Sequence, residues 1–255
     1  MAQFHELAGT LTGIPGDRPP LVLVHGLTFD RRQWAPLVGE IQAIDPGRQV
    51  LTLDLPAHGE SGPQRDYHVE TVADALHAAV TAAGLAAPVL VGHSIGGIFV
   101  TGYAGRYPAR GVLNLDQPLL PGRFGPMIRE AEPTLHGPGW RAFWDLLVDG
   151  MGIPALTEPA RALVEQTARP SAELLLGYWD EIMHTAEETI TEQRRADLTA
   201  IAAQGIEYHW LSSCEPDPAY ASWLTEVSPG VVIDLLPGGH FPHLEYPADL
   251  AKLLA

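Results

Sequence analysis

Six short apolar runs each end on a turn or polar residue, and this repetition constrains the fold more than any other feature. They are Leu21–Val24, Gln49–Leu53, Pro88–Val91, Gly111–Leu115, Ile206–Leu211 and Val231–Leu236. Such runs lack the alternation of a half-solvated strand and read as strands buried on both faces. Helical patterns lie between them, at Gln33–Ile44, Val69–Ala83 and Ile95–Arg106, the last stopped by Tyr107-Pro108. Strands alternating with helices predict an α/β fold: a mostly parallel central sheet with helices on both faces.

The alternation lapses once. From Leu119 to Arg194 no strand-like run occurs, while Trp140–Leu147 and Leu174–Met183 read as amphipathic helices. The expected organisation is therefore a core of residues 1–118 and 195–255, with 119–194 inserted as a helical cap. Most aromatic residues of the insertion are expected to pack it onto the core.

Composition narrows the function. The 255 residues include 46% hydrophobic and only 18% charged residues, which excludes a disordered chain. Fifteen Lys and Arg stand against thirty-one Asp and Glu, a net charge of −16. That balance argues against nucleic acid and anionic membranes as partners, since both need clustered cations. The single Cys214 excludes an intramolecular disulfide or a Cys-rich metal site. No P-loop, dinucleotide fingerprint or H-E-x-x-H is present, and no His pair has convincing metal spacing, so neither cofactor nor metal is expected. Ala75–Gly105 contains no charged residue and is long enough to span a bilayer, but Gly84, Pro88, Gly92, Gly96 and Gly97 break it into helix, strand, turn and helix. Without a signal peptide or membrane span, the expected location is cytoplasmic. The oligomeric state is not readable.

Chemistry concentrates at Gly92-His93-Ser94-Ile95-Gly96, a G-x-S-x-G pattern between a predicted strand and a predicted helix. A serine on such a turn presents its hydroxyl while the flanking glycines admit close backbone approach. The Ile95 N–H, at a helix N-terminus, is placed to stabilise an oxyanion. A serine nucleophile needs an imidazole base, and the imidazole needs a carboxylate.

Three further segments join this one. His25-Gly26 ends the first strand, Asp54-Leu-Pro-Ala-His-Gly-Glu-Ser61 ends the second, and Gly239-His240-Phe-Pro-His243-Leu-Glu-Tyr-Pro247 follows the last. Together with the serine turn they resemble the α/β-hydrolase superfamily, in the expected order across residues 21–247. Ala57 stands where that family usually has glycine. The resemblance implies that Ser94 is the nucleophile and His240 the base, and that the backbone N–H groups of Leu27 and Ile95 form the oxyanion hole. Asp54, His58 and His25 are expected to be structural.

The acid is left open. The family pattern of a strand ending G-x-x-D has no glycine here. The family separation from the histidine is usually somewhat longer than either candidate gives, which slightly favours Glu215 over Asp217, whereas aspartate is the commoner residue type and favours Asp217. Asp116 occupies a position from which some branches of the fold take their acid. Glu215 is the first choice.

These residues point to a serine esterase that cleaves a small apolar or aromatic carboxylic ester through an acyl-enzyme. Thr28, Trp140, Trp144 and Trp179 are candidates for the substrate pocket. A lactonase or C–C bond (β-diketone) hydrolase is the alternative within enzymes. A small-molecule receptor or non-hydrolytic enzyme of the same fold is the alternative outside hydrolases. Haloalkane and epoxide chemistry is disfavoured, because it requires a carboxylate nucleophile.

Overall fold

The computed structural model describes residues 2–255. A hairpin, β1 (Ala2–Phe4) and β2 (Leu7–Thr12), precedes β3 (Leu21–Val24). A 3-10 turn, Arg31–Trp34, leads into α1 (Ala35–Ile44), followed by β4 (Val50–Leu53), α2 (Val69–Ala82), β5 (Val89–His93), α3 (Ile95–Arg106) and β6 (Gly111–Leu115). Five helices intervene before the next strand: α4 (Phe124–Leu135), α5 (Trp140–Asp149), α6 (Glu158–Thr167), α7 (Ala172–His184) and α8 (Glu187–Ala203). The chain closes with β7 (Glu207–Ser212), α9 (Pro218–Val227), β8 (Val232–Leu235), α10 (Pro242–Glu245) and α11 (Pro247–Leu254).

The strands form one eight-stranded sheet ordered β1-β2-β4-β3-β5-β6-β7-β8. The pairs from β4 through β8 are parallel, and β1 and β2 add antiparallel at one edge. The central runs are continuously apolar because alternate residues serve different faces. Leu21 and Leu23 point to one side, where they pack with Leu37 and Ile41 of α1 and Leu250 and Leu254 of α11. Val22 and Val24 point to the other, where they join Val72 and Leu76 of α2 and Phe99 and Val100 of α3. All four β3 side chains are fully buried.

One element is not legible in the sequence and one expectation is corrected. The β1–β2 hairpin gives no sequence signal, because Leu7–Thr12 carries Gly9 and two threonines and has no apolar run. Gly9 suits close packing: a Cβ there would lie 2.9 Å from both Leu53 Cδ2 and Thr52 O on the neighbouring strand. The boundary at 194/195 falls inside a continuous helix. Arg194 is buried on α8, with ion pairs to Glu181 of α7 at 3.0 Å and to Asp197 at 3.8 Å. α8 itself packs against α3, so closely that a Cβ on Gly105 would lie 2.9 Å from Asp197 Cα. α8 thus belongs to the layer covering the sheet, and the helical excursion proper is α4 to α7. Among the described residues no helix is long and apolar enough to cross a membrane.

Candidate active site

β5 ends at His93, and the next residue, Ser94, turns at φ 52° and ψ −134°. Non-glycine residues rarely adopt positive φ, so this turn is strained. Glycine makes it possible. A Cβ on Gly92 would lie 2.3 Å from Gly96 O, and one on Gly96 would lie 2.4 Å from Val24 O. The first turn of α3 can therefore press against the strand ends. Ser94 is half-buried, and its hydroxyl has no hydrogen bond among the described residues.

The loop after β3 approaches from one side: a Cβ on Gly26 would lie 3.1 Å from Ser94 Cβ. Two buried histidines fix this loop. His25 donates from Nδ1 to Gly26 O at 2.8 Å and accepts at Nε2 from Leu55 N–H at 3.0 Å. His58 donates from Nδ1 to Pro56 O at 2.9 Å and accepts at Nε2 from Thr28 N–H at 2.9 Å. Each ring acts as donor and acceptor at once, which requires the neutral form. Burial accordingly lowers the His25 pKa to about 4 and that of His58 to about 3. Asp54 accepts from the N–H groups of Arg31 and Glu60 and pairs with the Arg31 guanidinium. These contacts match the structural roles read from the sequence. Among the described residues the N–H groups of Leu27, on the loop after β3, and of Ile95, the residue after Ser94, meet no protein acceptor.

His240 enters from the C-terminal loop. Its Nδ1–H donates to Asp116 Oδ2 at 2.7 Å, while Asp116 Oδ1 accepts from Ser213 N–H at 2.7 Å. Burial alone would raise the Asp116 pKa, but its bonds to His240 and Ser213 outweigh this and hold it below the ordinary value. The carboxylate partner of His240 is thus Asp116, and the first choice of Glu215 is corrected. Glu215 is exposed and among the described residues makes no hydrogen bond, whereas Asp217 caps α9 by accepting from Ala219 N–H at 2.8 Å. The missing glycine in 212–217 was one available signal. An aspartate directly after the strand beside the nucleophile strand was another. His93 bridges the two halves of the site: its Nε2–H donates to the His240 carbonyl at 2.6 Å.

Trp144 and Trp179 are buried in the helical excursion with ring centroids 6.4 Å apart, and Phe124 and Phe143 pack edge-on to Trp179 at 5.7 and 6.4 Å. With half-buried Trp140 they belong to one apolar cluster that also includes Ile95 and Ile98 of α3. Thr28 lies elsewhere. It lines a cavity of about 370 Å³ with Arg31, Arg32, Glu60 and Arg169, without any of the three tryptophans and without Ser94 or His240. Among the described residues no group of three or more His, Cys, Asp or Glu is arranged to hold a metal ion.

A strand-to-helix turn bearing a strained serine, joined through its neighbour His93 to a carboxylate-paired histidine, defines a class. The profile of the alpha/beta hydrolase family matches residues 21–253, and the chain belongs to that family. Within it, the chain is 25% identical to 2-succinyl-6-hydroxy-2,4-cyclohexadiene-1-carboxylate synthase of Enterobacter sp. (strain 638), over 96% of this chain and 93% of that protein. It is 38% identical to pimeloyl-(acyl-carrier protein) methyl ester esterase of Xanthomonas campestris pv. campestris, over 36% of this chain and 34% of that protein. This second match thus spans about a third of the relative's length.

Solved structures share the fold. The enol-lactonase of Burkholderia xenovorans LB400 superposes with a TM-score of 0.75 at 19% identity, covering 97% of this chain and 94% of that one. An enzyme studied for recognition and ring-cleavage of the Pseudomonas quinolone signal superposes with a TM-score of 0.80 at 18% identity, covering 97% and 93%.

Proposed function

We propose that the protein is a serine hydrolase acting on small apolar or aromatic carboxylic esters. The observation that carries this reading is the His240–Asp116 pair at 2.7 Å, tied through the His240 carbonyl to His93, the residue before a strained, half-buried serine. On substrate binding, Ser94 Oγ attacks the carbonyl carbon and passes its proton to His240 Nε2. Asp116 keeps the imidazole in the tautomer whose Nε2 is free and stabilises the cation that forms. The N–H groups of Leu27 and Ile95 receive the developing oxyanion. Collapse expels the alcohol, which takes the proton from His240, and leaves Ser94 acylated. Water, deprotonated by His240, then releases the acid. Relatives named as an esterase, a lipase and a hydrolase support this class of reaction.

The helical excursion serves as a cap, and its aromatic cluster favours an apolar group on the substrate. That same cluster supports a second reading, opening of a lactone or cleavage of a ring ketone by the same groups. The test compares turnover of a p-nitrophenyl ester with that of an aryl lactone, in wild type and Ser94→Ala. Ester turnover abolished by the substitution supports the first reading, and a strong preference for the lactone supports the second. Turnover unaffected by Ser94→Ala overturns both.

A further inference from the structure

The helical excursion meets the loop carrying His240 through one tight turn. After α5 the chain reverses at Gly150–Gly152: Met151 N–H donates to Val148 O at 3.0 Å, and Gly152 takes φ 76°. This turn presents the Met151 carbonyl to the backbone N–H of His240 at 2.9 Å. The fit leaves no space for side chains. A Cβ on Gly152 would lie 2.9 Å from Gly239 Cα, and one on Gly239 would lie 2.9 Å from Met151 O and 3.0 Å from Glu245 Oε1. The preceding peptide is held too, because Gly239 N–H donates to Glu245 Oε1 at 2.7 Å.

His240 is therefore gripped at three points by three segments. Its N–H is held by the excursion, its carbonyl by His93 beside Ser94, and its ring by Asp116 after β6. Two of these grips come from the ends of sheet strands. The third comes from an element that packs on the sheet domain and is not part of it. Any shift of the Met151–Gly152 turn is transmitted through a direct hydrogen bond to the backbone of the histidine.

We infer that Gly152 is a positioning residue for His240, acting through the Met151 carbonyl, so that the helical excursion sets where the imidazole stands relative to Ser94. This inference rests on the catalytic reading of Ser94 and His240 proposed above. Glycine is required at 152 for two reasons: its left-handed backbone, and the absence of room for a methyl group against Gly239. Misplacing a catalytic group by about 1 Å costs on the order of 100-fold in rate. Even a partial displacement is therefore readable.

The experiment compares Gly152→Ala and Gly239→Ala, which crowd the same contact from opposite sides, with Gly205→Ala. Gly205 also has positive φ, 66°, but a Cβ there meets nothing within 4 Å. It imposes similar backbone strain far from the site. The first readout is hydrolysis of an aryl ester. The expected result is that kcat falls about 10- to 100-fold in Gly152→Ala and Gly239→Ala while KM stays nearly constant, with Gly205→Ala close to wild type. The second readout needs no turnover: the NMR resonance of the His240 Nδ1–H donated to Asp116. It is expected to move or broaden in the two contact variants and to hold in Gly205→Ala. If Gly152→Ala fails to fold, Gly239→Ala decides alone. Wild-type kcat and an unmoved resonance in the contact variants overturn the inference. If wild type itself has no turnover, the catalytic reading fails, and the resonance still decides the positioning.

Discussion

Ser94 and Asp116 leave adjacent parallel strands at the same level, and both do so with a left-handed backbone, at φ 52° and 57°. The last paired residues of β5 and β6 are His93 and Leu115. The ladder continues one step further, since Ser94 N–H donates to Leu115 O at 3.0 Å and Asp116 N–H to Leu211 O at 2.8 Å. Both residues then turn out at the carboxyl edge of the sheet, where open α/β sheets bind their ligands. Left-handed backbone costs roughly 1–2 kcal/mol in a residue with a side chain. Two such residues side by side are the kind of strain that persists where function requires it.

The first prediction concerns the acid. Asp116→Ala is expected to lower kcat on an aryl ester by about 10³- to 10⁴-fold, as loss of the orienting carboxylate does in Ser-His-Asp enzymes. Glu215→Ala should keep wild-type kcat. Asp217→Ala should also keep it but lose about 1 kcal/mol of stability with the α9 cap, read by urea denaturation. A large kcat loss in Glu215→Ala would reverse the assignment.

His58 should matter for both stability and rate. It is the acceptor for the Thr28 N–H on the loop that carries Leu27. His58→Leu leaves that buried N–H unpaired and is expected to cost about 1–3 kcal/mol. The loosened loop should lower kcat more than it raises KM. Unchanged kcat in a folded variant would separate the loop from oxyanion binding.

Acid should unfold the protein early. His25, His58, His93 and His243 are buried, and burial lowers their pKa to about 4, about 3, well below 6.5 and about 3 respectively. The unfolded chain takes up these protons below pH 6.5, whereas the folded chain does not. Stability is therefore fully present above pH 6.5 and falls as pH drops below it. By pH 5 each histidine costs up to about 2 kcal/mol. Urea midpoints measured from pH 7.5 to pH 5 should decline steeply, and a flat profile would contradict the neutral buried assignment.

Gly96→Ala tests the packing of the serine turn. Its methyl would sit 2.4 Å from Val24 O and 2.7 Å from His25 O, both backbone atoms that cannot rotate away. A loss of about 1–3 kcal/mol or more is expected, with turnover falling alongside as the turn is displaced. Thermal melting and ester hydrolysis on one preparation check both.

Much of this was legible in the sequence, and the exceptions have physical reasons. The strands β3 to β8 are legible as apolar runs; both faces of β3 are buried, so every residue of Leu21–Val24 has to be apolar, whereas β8, expected buried on both faces, is largely exposed at the sheet edge. The serine turn was legible because close backbone approach admits only glycine at 92 and 96. The β1–β2 hairpin was hidden by the same requirement, since Gly9 erased the strand pattern. Asp116 is a candidate in the sequence but not the first choice. It lies 124 residues before His240, and the pairing arises only when the loop after β8 folds back over the end of β6. The end of the cap was misplaced because α8 has no break at 194: Arg194 faces inward to pair with Glu181.

If Ser94 is a nucleophile activated by the His240–Asp116 pair, a fluorophosphonate must label it, and mass spectrometry reads the product. One adduct is expected on the Ser94 peptide in wild type and Glu215→Ala, with much slower labelling in Asp116→Ala and His240→Ala and none in Ser94→Ala. An unlabelled wild type, or labelling that persists in Ser94→Ala, would contradict it.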